Sequence, residues 1–342
     1  MRIGIIGQGF AGSALAVQLK RRGYEVVVFD KGLEGAASWV ASGLFNPIVL
    51  KRRRVIGEAA LHIAEANQHF DRVAQILGAA MLDAEPIREI LDGAEALNHW
   101  SGPQAALAPY LGPTEPIDHP GIQKPWAGQV IHSGRVQSKA YLKGIRQWLG
   151  DSLRDVMVDH IERHGSRWVV AGESCDALIL AEGAHAALTE AWFGPLPFAK
   201  TKGEGLTIQW NGPAIEKPYH QSHFLLPEPH GQAKTGATYA WDDMSLVPTQ
   251  AARETLLKAL NGWFQMPDIE VVDHWTGIRP TMKNRQVKWG WHEDYPTLGF
   301  INGLGSRGAL TAPLHTKRLL AGASFLVMDE DVHPGHATQT EE

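Results

Sequence analysis

Gly7-Gln8-Gly9-Phe10-Ala11-Gly12 follows the apolar run Ile3-Gly4-Ile5-Ile6, and a second apolar run, Val26-Val27-Val28-Phe29, closes on Asp30. In order these are strand, glycine turn, helix (Ser13 to Arg22), Gly23 as helix stop, strand and acid, the opening of a βαβ unit that binds a dinucleotide. The first glycine lets the strand turn sharply, the second lets a pyrophosphate approach bare backbone, and the third lets helix and strand pack closely. The helix N-terminus then offers unpaired N–H groups and the positive end of its dipole to phosphate. Asp30 stands where a carboxylate accepts hydrogen bonds from a ribose diol. Lys31, Phe10 and Ala11 are placed with it and the glycines among the cofactor contacts.

The chain has 342 residues, 44% of them hydrophobic, enough for a large core and two domains. A net charge of -5 gives no overall attraction to nucleic acid or anionic membrane. One cysteine, Cys175, excludes an intrachain disulfide and suits a reducing compartment, so a cytoplasmic location is expected. Arg2 ahead of apolar residues superficially resembles a signal peptide, but the glycines and Gln8 interrupt it. No apolar segment approaches the roughly 20 residues of a membrane span.

Further along, residues 55–79 carry Ile56, Leu61, Ile63, Phe70, Val73, Ile76 and Leu77 at roughly helical spacing. Six prolines between Pro103 and Pro125 forbid long regular elements over 101–128. A helix is expected over Ser138 to Leu149, then strands at 155–160, 168–171 and 177–181, the last entering Glu182-Gly183-Ala184. Residues 204–245 mix short β-like runs with turn residues, as an antiparallel sheet does. A helix over 249–264, a strand at 297–301, a glycine-rich loop and a helix over 312–323 complete the chain, with 331–342 as a flexible tail. Nucleotide-type elements at the start, middle and end imply two interleaved domains.

The loop Asn302-Gly303-Leu304-Gly305-Ser306-Arg307-Gly308 enters a helix, which again puts backbone N–H groups at a helix N-terminus. It suits a second phosphate or, if the cofactor is a flavin, the negative charge that reduced flavin gathers. In Gly277-Ile278-Arg279-Pro280, the proline biases Arg279 toward extended backbone, from which a guanidinium projects. Such an arginine pairs with a carboxylate two-pronged, and spacing alone fits a structural ion pair equally well.

These stretches, with Ala37-Ser38, Gly43-Leu44-Phe45-Asn46-Pro47, Ala181-Glu182-Gly183, a Lys202-Gly203 turn and Gly236-Ala237-Thr238-Tyr239, resemble over nearly the full length the FAD-dependent amine oxidases grouped with D-amino acid oxidase and glycine oxidase. The resemblance extends to the FAD domain of the bacterial bifunctional enzyme that matures the tRNA wobble uridine. It implies a glycine oxidase-like α/β fold, a Rossmann-like FAD-binding domain (1–78, 134–197, 291–330) interleaved with an antiparallel-sheet α+β substrate domain (79–133, 198–290). Carried over by position, it implies Ser38 near the pyrophosphate, Ser42, Gly43 and Leu44 along the isoalloxazine, Gly183 at the cofactor, and Gly305, Ser306, Arg307 and Gly308 at the flavin. Arg279 matches the arginine that holds a substrate carboxylate. Phe224 replaces a tyrosine over the substrate, a loss for which Tyr239 is a candidate replacement. The implied chemistry is hydride transfer from the amine-bearing carbon of an amino acid or carboxylated secondary amine to noncovalent FAD, followed by imine hydrolysis. Glu182 and Asn284-Arg285 depart from the family pattern.

Two alternatives accompany that expectation: a freestanding tRNA-modifying FAD oxidase, which is not favoured, and a flavin- or NAD-binding protein without amine chemistry. The basic run Lys51-Arg52-Arg53-Arg54 fits a solvated patch better than an RNA contact. The sixteen histidines show no metal-ligating spacing, so no metal is expected, and His223 beside Phe224 is singled out.

Overall fold

The computed structural model describes residues 1–32, 35–102 and 104–326, so the tail 331–342 lies outside the described residues. A six-stranded sheet runs in the order Leu153–Arg154, Glu25–Phe29, Arg2–Ile6, Ala177–Leu180, Leu298–Asn302, Lys288–Trp291. The first five are parallel, and Lys288–Trp291 closes one edge antiparallel. Unbroken apolar strands such as Val26 to Phe29 fit a sheet covered on both faces. Ile3, Ile5, Val26, Val28 and Ile179 pack into one core with helices Phe10–Arg21, Ala59–Leu77, Ser138–Leu149 and Gly308–Ala321. Ile6, Val27, Leu178 and Leu180 pack on the other side with Trp168 and Cys175. Burial pushes the Cys175 thiol up to about 11, which leaves it inert packing.

An eight-stranded sheet runs Glu270–Arg279, Thr201–Gln209, Ala233–Gly236, Phe224–Pro227, Tyr219–His220, Ile87–Leu91, Trp126–Val130, Leu111–Pro116. All its pairs are antiparallel except Tyr219–His220 with Ile87–Leu91. One face buries Leu206, Ile208, Tyr219 and Leu225 against Leu256 and Leu260 of helix Gln250–Asn261. The opposite face carries Arg279, as the strand period of two requires.

Several local expectations change. The proline-rich stretch holds two strands of this sheet; Leu111–Pro116, with Pro113 and Pro116, lies at the edge, where a missing N–H costs no ladder bond. Lys202-Gly203 is no turn: both sit inside Thr201–Gln209, paired with Ile278 and Gly277. Residues 155–160 form no strand, the pairing segments being Leu153–Arg154 and Glu162–His164. The last helix begins at Gly308, because the glycine loop itself supplies the first turn.

Candidate functional site

Four parallel strands end side by side, at Ile6, Phe29, Leu180 and Asn302, and release the chain into Gly7, Asp30, Glu182-Gly183 and Gly303. Ligands of open α/β sheets bind at such carboxyl ends. Gly7 has φ +100°, and a Cβ there would stand 2.4 Å from the Ala181 carbonyl oxygen. A Cβ on Gly12 would stand 1.8 Å from the Gly7 oxygen, so the helix lies against the turn with no room for a methyl group. Ser38, on the short helix Ala37–Val40, accepts from the Phe10 N–H at 3.1 Å. The Ala11 and Gly12 N–H groups have no protein acceptor among the described residues and remain available to an anion.

Asp30 is already organised. Its carboxylate accepts from the Gln8 N–H (2.8 Å), the Gly32 N–H (2.7 Å) and Arg146 Nη1 (2.9 Å). Arg146, on helix Ser138–Leu149, also donates to the Asp30 carbonyl at 3.1 Å. Nothing in the sequence marks it, because the contact spans two elements far apart in the chain. Lys31 stands exposed beside this network.

The second glycine loop meets the first: a Cβ on Gly308 would lie 3.1 Å from the Phe10 ring. The N–H groups of Ser306, Gly308 and Ala309 lack protein acceptors among the described residues, so two helix N-termini converge with free donors. Asn302 joins the neighbouring loops by donating to the Gly183 carbonyl (2.8 Å) and accepting from the Gly303 N–H (2.8 Å). Glu182, the departure from the family pattern, caps helix Ala187–Phe193 by accepting from the Leu188 N–H, the Thr189 N–H and the Thr189 hydroxyl at 3.1, 2.6 and 2.6 Å. Gly43 (φ +77°) passes so close to the Val136 carbonyl that a Cβ would lie 1.8 Å away. Buried Arg135 holds the adjacent Ser42 carbonyl (3.0 Å) and the Pro227 carbonyl (2.5 Å) and pairs with Glu228, tying Ser42, Gly43 and Leu44 to the end of strand Phe224–Pro227.

On the eight-stranded sheet, register places Arg279 opposite Thr201, Gly277 opposite Gly203, and Trp275 opposite Gly205, which pairs in turn with Gly236 and through it with Phe224. All these positions share one face. Four are glycines, and three of the missing side chains are filled by neighbours: a Cβ on Gly203 would stand 2.1 Å from Arg279 Nη2, one on Gly205 2.0 Å from the Trp275 ring, and one on Gly277 2.4 Å from Val40 Cγ2. Arg279 donates to the Thr238 carbonyl at 3.1 Å, and its guanidinium carbon lies 4.3 Å from the Tyr239 ring centre. Among the described residues no carboxylate pairs with it, and burial pulls its pKa below the usual arginine value against the opposing influence of Tyr239. Arg307 is likewise without an acidic partner among the described residues; burial lowers its pKa, Tyr239 opposes this, and Arg285 and Arg54 add repulsion. The Trp275 indole N–H on this face is buried and has no partner among the described residues.

Tyr239 therefore meets Arg279 through its ring face, and Phe224 stands on the same sheet face three strands from the one bearing Arg279. His223 contacts Ser222 (3.2 Å), while His220, across from Phe224, pairs with Glu89 at 2.6 Å; burial raises the Glu89 pKa against that pairing. Among the described residues no group of three or more His, Cys, Asp or Glu could hold a metal ion, and no helix is long and apolar enough to cross a membrane.

A family model, DAO, described as FAD dependent oxidoreductase, matches residues 2–321. Glycine oxidase of Bacillus subtilis is 23% identical over 366 residues, covering 96% of this chain and 93% of the relative. The tRNA 5-methylaminomethyl-2-thiouridine biosynthesis bifunctional protein MnmC of Legionella pneumophila is 24% identical over 369 residues, 92% of this chain but 53% of that protein, so the chain spans about half of it. Among solved structures, glycine oxidase from Geobacillus kaustophilus superposes with a TM-score of 0.77 at 20% identity over 94% of each chain. Iminodiacetate oxidase from Chelativorans sp. BNC1 does so with 0.77 at 19% over 94% of this chain and 95% of that one.

Proposed function

The chain belongs to the DAO family of FAD-dependent oxidoreductases, and from that premise we propose that it oxidises the C–N bond of a small amine bearing a carboxylate, an amino acid or a secondary amine. The observation that carries this reading is Arg279: a half-buried guanidinium with no acidic partner among the described residues, lying over Gly203, where a side chain would displace it. A buried cation without a counter-ion costs free energy, and a substrate carboxylate offsets it with two-pronged, charge-assisted hydrogen bonds.

The residues suit FAD. Gly7, Gly9, Phe10, Ala11 and Gly12, with Ser38, would hold its pyrophosphate, and Asp30, with Lys31 nearby, its ribose. Ser42, Gly43, Leu44, Gly183, Gly305, Ser306, Arg307 and Gly308 would line its redox-active end. When bound, FAD supplies the two-electron acceptor. The protein contributes alignment and charge: Arg279 fixes the carboxylate and thereby the carbon beside it, while Arg307 and the free N–H groups before helix Gly308–Ala321 stabilise developing negative charge. Phe224 and Tyr239 wall the substrate space. Residues 1–78, 134–197 and 288–326 are assigned to FAD, the expected boundary at 291 moving back because strand Lys288–Trp291 pairs into the parallel sheet, and 79–133 with 198–287 to substrate. The single buried thiol supports a reducing, cytoplasmic setting.

Anaerobic addition of carboxylated amines, each matched with its decarboxylated analogue, tests the reading. Bleaching of the bound flavin by the carboxylated member is expected; equal bleaching by both, or by neither across the panel, overturns it. A second reading, oxidation of a carboxymethylated amine on tRNA, draws on Lys51, Arg52 and Arg54, which are exposed with no acidic partner among the described residues. It requires stoichiometric binding of undermodified tRNA that weakens steeply with salt.

A further inference from the structure

Exposed large hydrophobic side chains concentrate in one segment: Tyr239, Trp241, Met244, Leu246 and Val247, with Tyr239 55% and Trp241 61% exposed. Single exposed apolar residues need no explanation, but a contiguous group beside a binding site does. The segment is held from beneath. Lys202, fully buried, donates to Asp243 Oδ2 (2.6 Å), Ser245 Oγ (3.3 Å) and the Val247 carbonyl (2.5 Å). Glu204, also buried, accepts from the Thr249 N–H (2.7 Å) and hydroxyl (2.9 Å). These anchors lie on the back of the sheet.

The front is set by pairing. Lys202 and Ala240 exchange backbone hydrogen bonds (2.9 and 3.0 Å), so residue 240 shares the side of Lys202 while its neighbours 239 and 241 fall on the side of Arg279. Accordingly the Tyr239 ring centre lies 4.3 Å from the Arg279 guanidinium carbon, and the Trp241 ring stacks on Tyr239 at 6.3 Å and 25°. The result is a row of guanidinium, phenol and exposed indole leading outward from Arg279, whose charge meets no carboxylate among the described residues.

We propose that Tyr239 and Trp241 form a rim that holds a flat aromatic group of the substrate while Arg279 holds its carboxylate, so that the preferred substrates are amino acids with an aryl side chain or aryl N-substituent rather than glycine-sized amines. This rests on Arg279 as the carboxylate holder and deepens that reading. An indole with one face free to water offers stacking area with only two side-chain torsions to immobilise. Arg279 supplies the charge complementary to the other end of such a molecule.

The test uses the FAD-loaded enzyme, Trp241→Ala and Trp241→Phe, with N-benzylglycine and N-methylglycine as substrates and phenylacetate and acetate as unreactive probes. In the unaltered enzyme N-benzylglycine should exceed N-methylglycine in kcat/KM by about tenfold or more. Trp241→Ala should abolish that advantage and leave N-methylglycine unchanged; Trp241→Phe should retain most of it. Phenylacetate, and not acetate, should quench a component of tryptophan fluorescence that Trp241→Ala removes. Where either amine is oxidised, an aryl advantage that is absent or survives Trp241→Ala overturns the proposal, as does quenching that persists in that variant. Displacement of phenylacetate by tRNA at lower concentration than by N-benzylglycine overturns the small-molecule assignment of the rim. If no amine bleaches the flavin while Trp241-dependent quenching remains, the rim stands and the amine-oxidation reading falls.

Discussion

Gly203→Ala isolates the carboxylate site with the least disturbance. Gly203 lies mid-strand in ordinary extended backbone, so alanine brings no conformational strain. Its methyl group would stand 2.1, 2.3 and 2.5 Å from Arg279 Nη2, Cζ and Nη1. Ordinary contact begins near 3.4 Å, so the guanidinium must retreat by about 1.3 Å. It is the far end of a flexible side chain and can do so without moving the sheet, at the cost of its bond to the Thr238 carbonyl. A displacement of about 1 Å in a positioning group costs on the order of a hundredfold in rate, comparable to the roughly 1.5–3 kcal/mol of a charge-assisted hydrogen bond. Expected, then, is a fall in kcat/KM of about 30- to 100-fold for carboxylated amines. FAD stoichiometry, visible spectrum and Tm should be unchanged, and Arg279→Ala should add little on top of Gly203→Ala because both remove the same interaction. Steady-state kinetics beside thermal melts decide the matter. Retained kcat/KM, or additive losses in the double variant, would refute the assignment of Arg279.

Three further outcomes are expected. Asp30→Asn removes the charge that orders the Gln8 and Gly32 N–H groups and Arg146, and should weaken FAD binding about 10- to 100-fold in titrations of apoprotein; an unchanged Kd would show that the acid is merely structural. Burial lowers His62 and His69 to about 4 and His315 to about 3, from 6.5; the unfolded chain therefore binds more protons between about pH 6.5 and 4, and stability should fall as pH drops through that window, less steeply in His62→Leu/His315→Leu. Melts from pH 7 to 4 that show equal slopes for both proteins would contradict this. Glu182→Ala uncaps helix Ala187–Phe193 and should cost about 1 kcal/mol, read as a Tm lower by roughly 1–3 °C, with the flavin spectrum as control.

The glycine turn proposed for the cofactor is legible because backbone geometry leaves a mark on residue identity: where φ is positive or a Cβ would strike a carbonyl, as at Gly7 and Gly12, only glycine serves. Arg279 is visible as a projected arginine before proline, yet its burial and lack of partner are tertiary facts. Gly203 reads as a turn residue because glycine usually marks turns, whereas here it clears space for a side chain on the adjacent strand. Arg146 leaves no sequence signal, and Asn302 is marked only as the first residue of its glycine loop, since each joins elements more than a hundred residues apart. The proline-rich segment misleads for a related reason: a proline is compatible with a strand that has a free edge, and only sheet order reveals the edge.

The parallel sheet places Arg2–Ile6 between Glu25–Phe29 and Ala177–Leu180, and completes itself with Leu298–Asn302. During synthesis the amino-terminal βαβ unit therefore emerges long before its other neighbours exist, with the free edge of Arg2–Ile6 open to pairing. The glycine turn proposed for the nucleotide half of FAD is made early, while the helix that packs against it, Gly308–Ala321, follows much later in the chain. Cofactor capture by both glycine loops consequently waits for Gly308–Ala321, and a shortage of FAD would be felt as slow, aggregation-exposed maturation as well as lost activity.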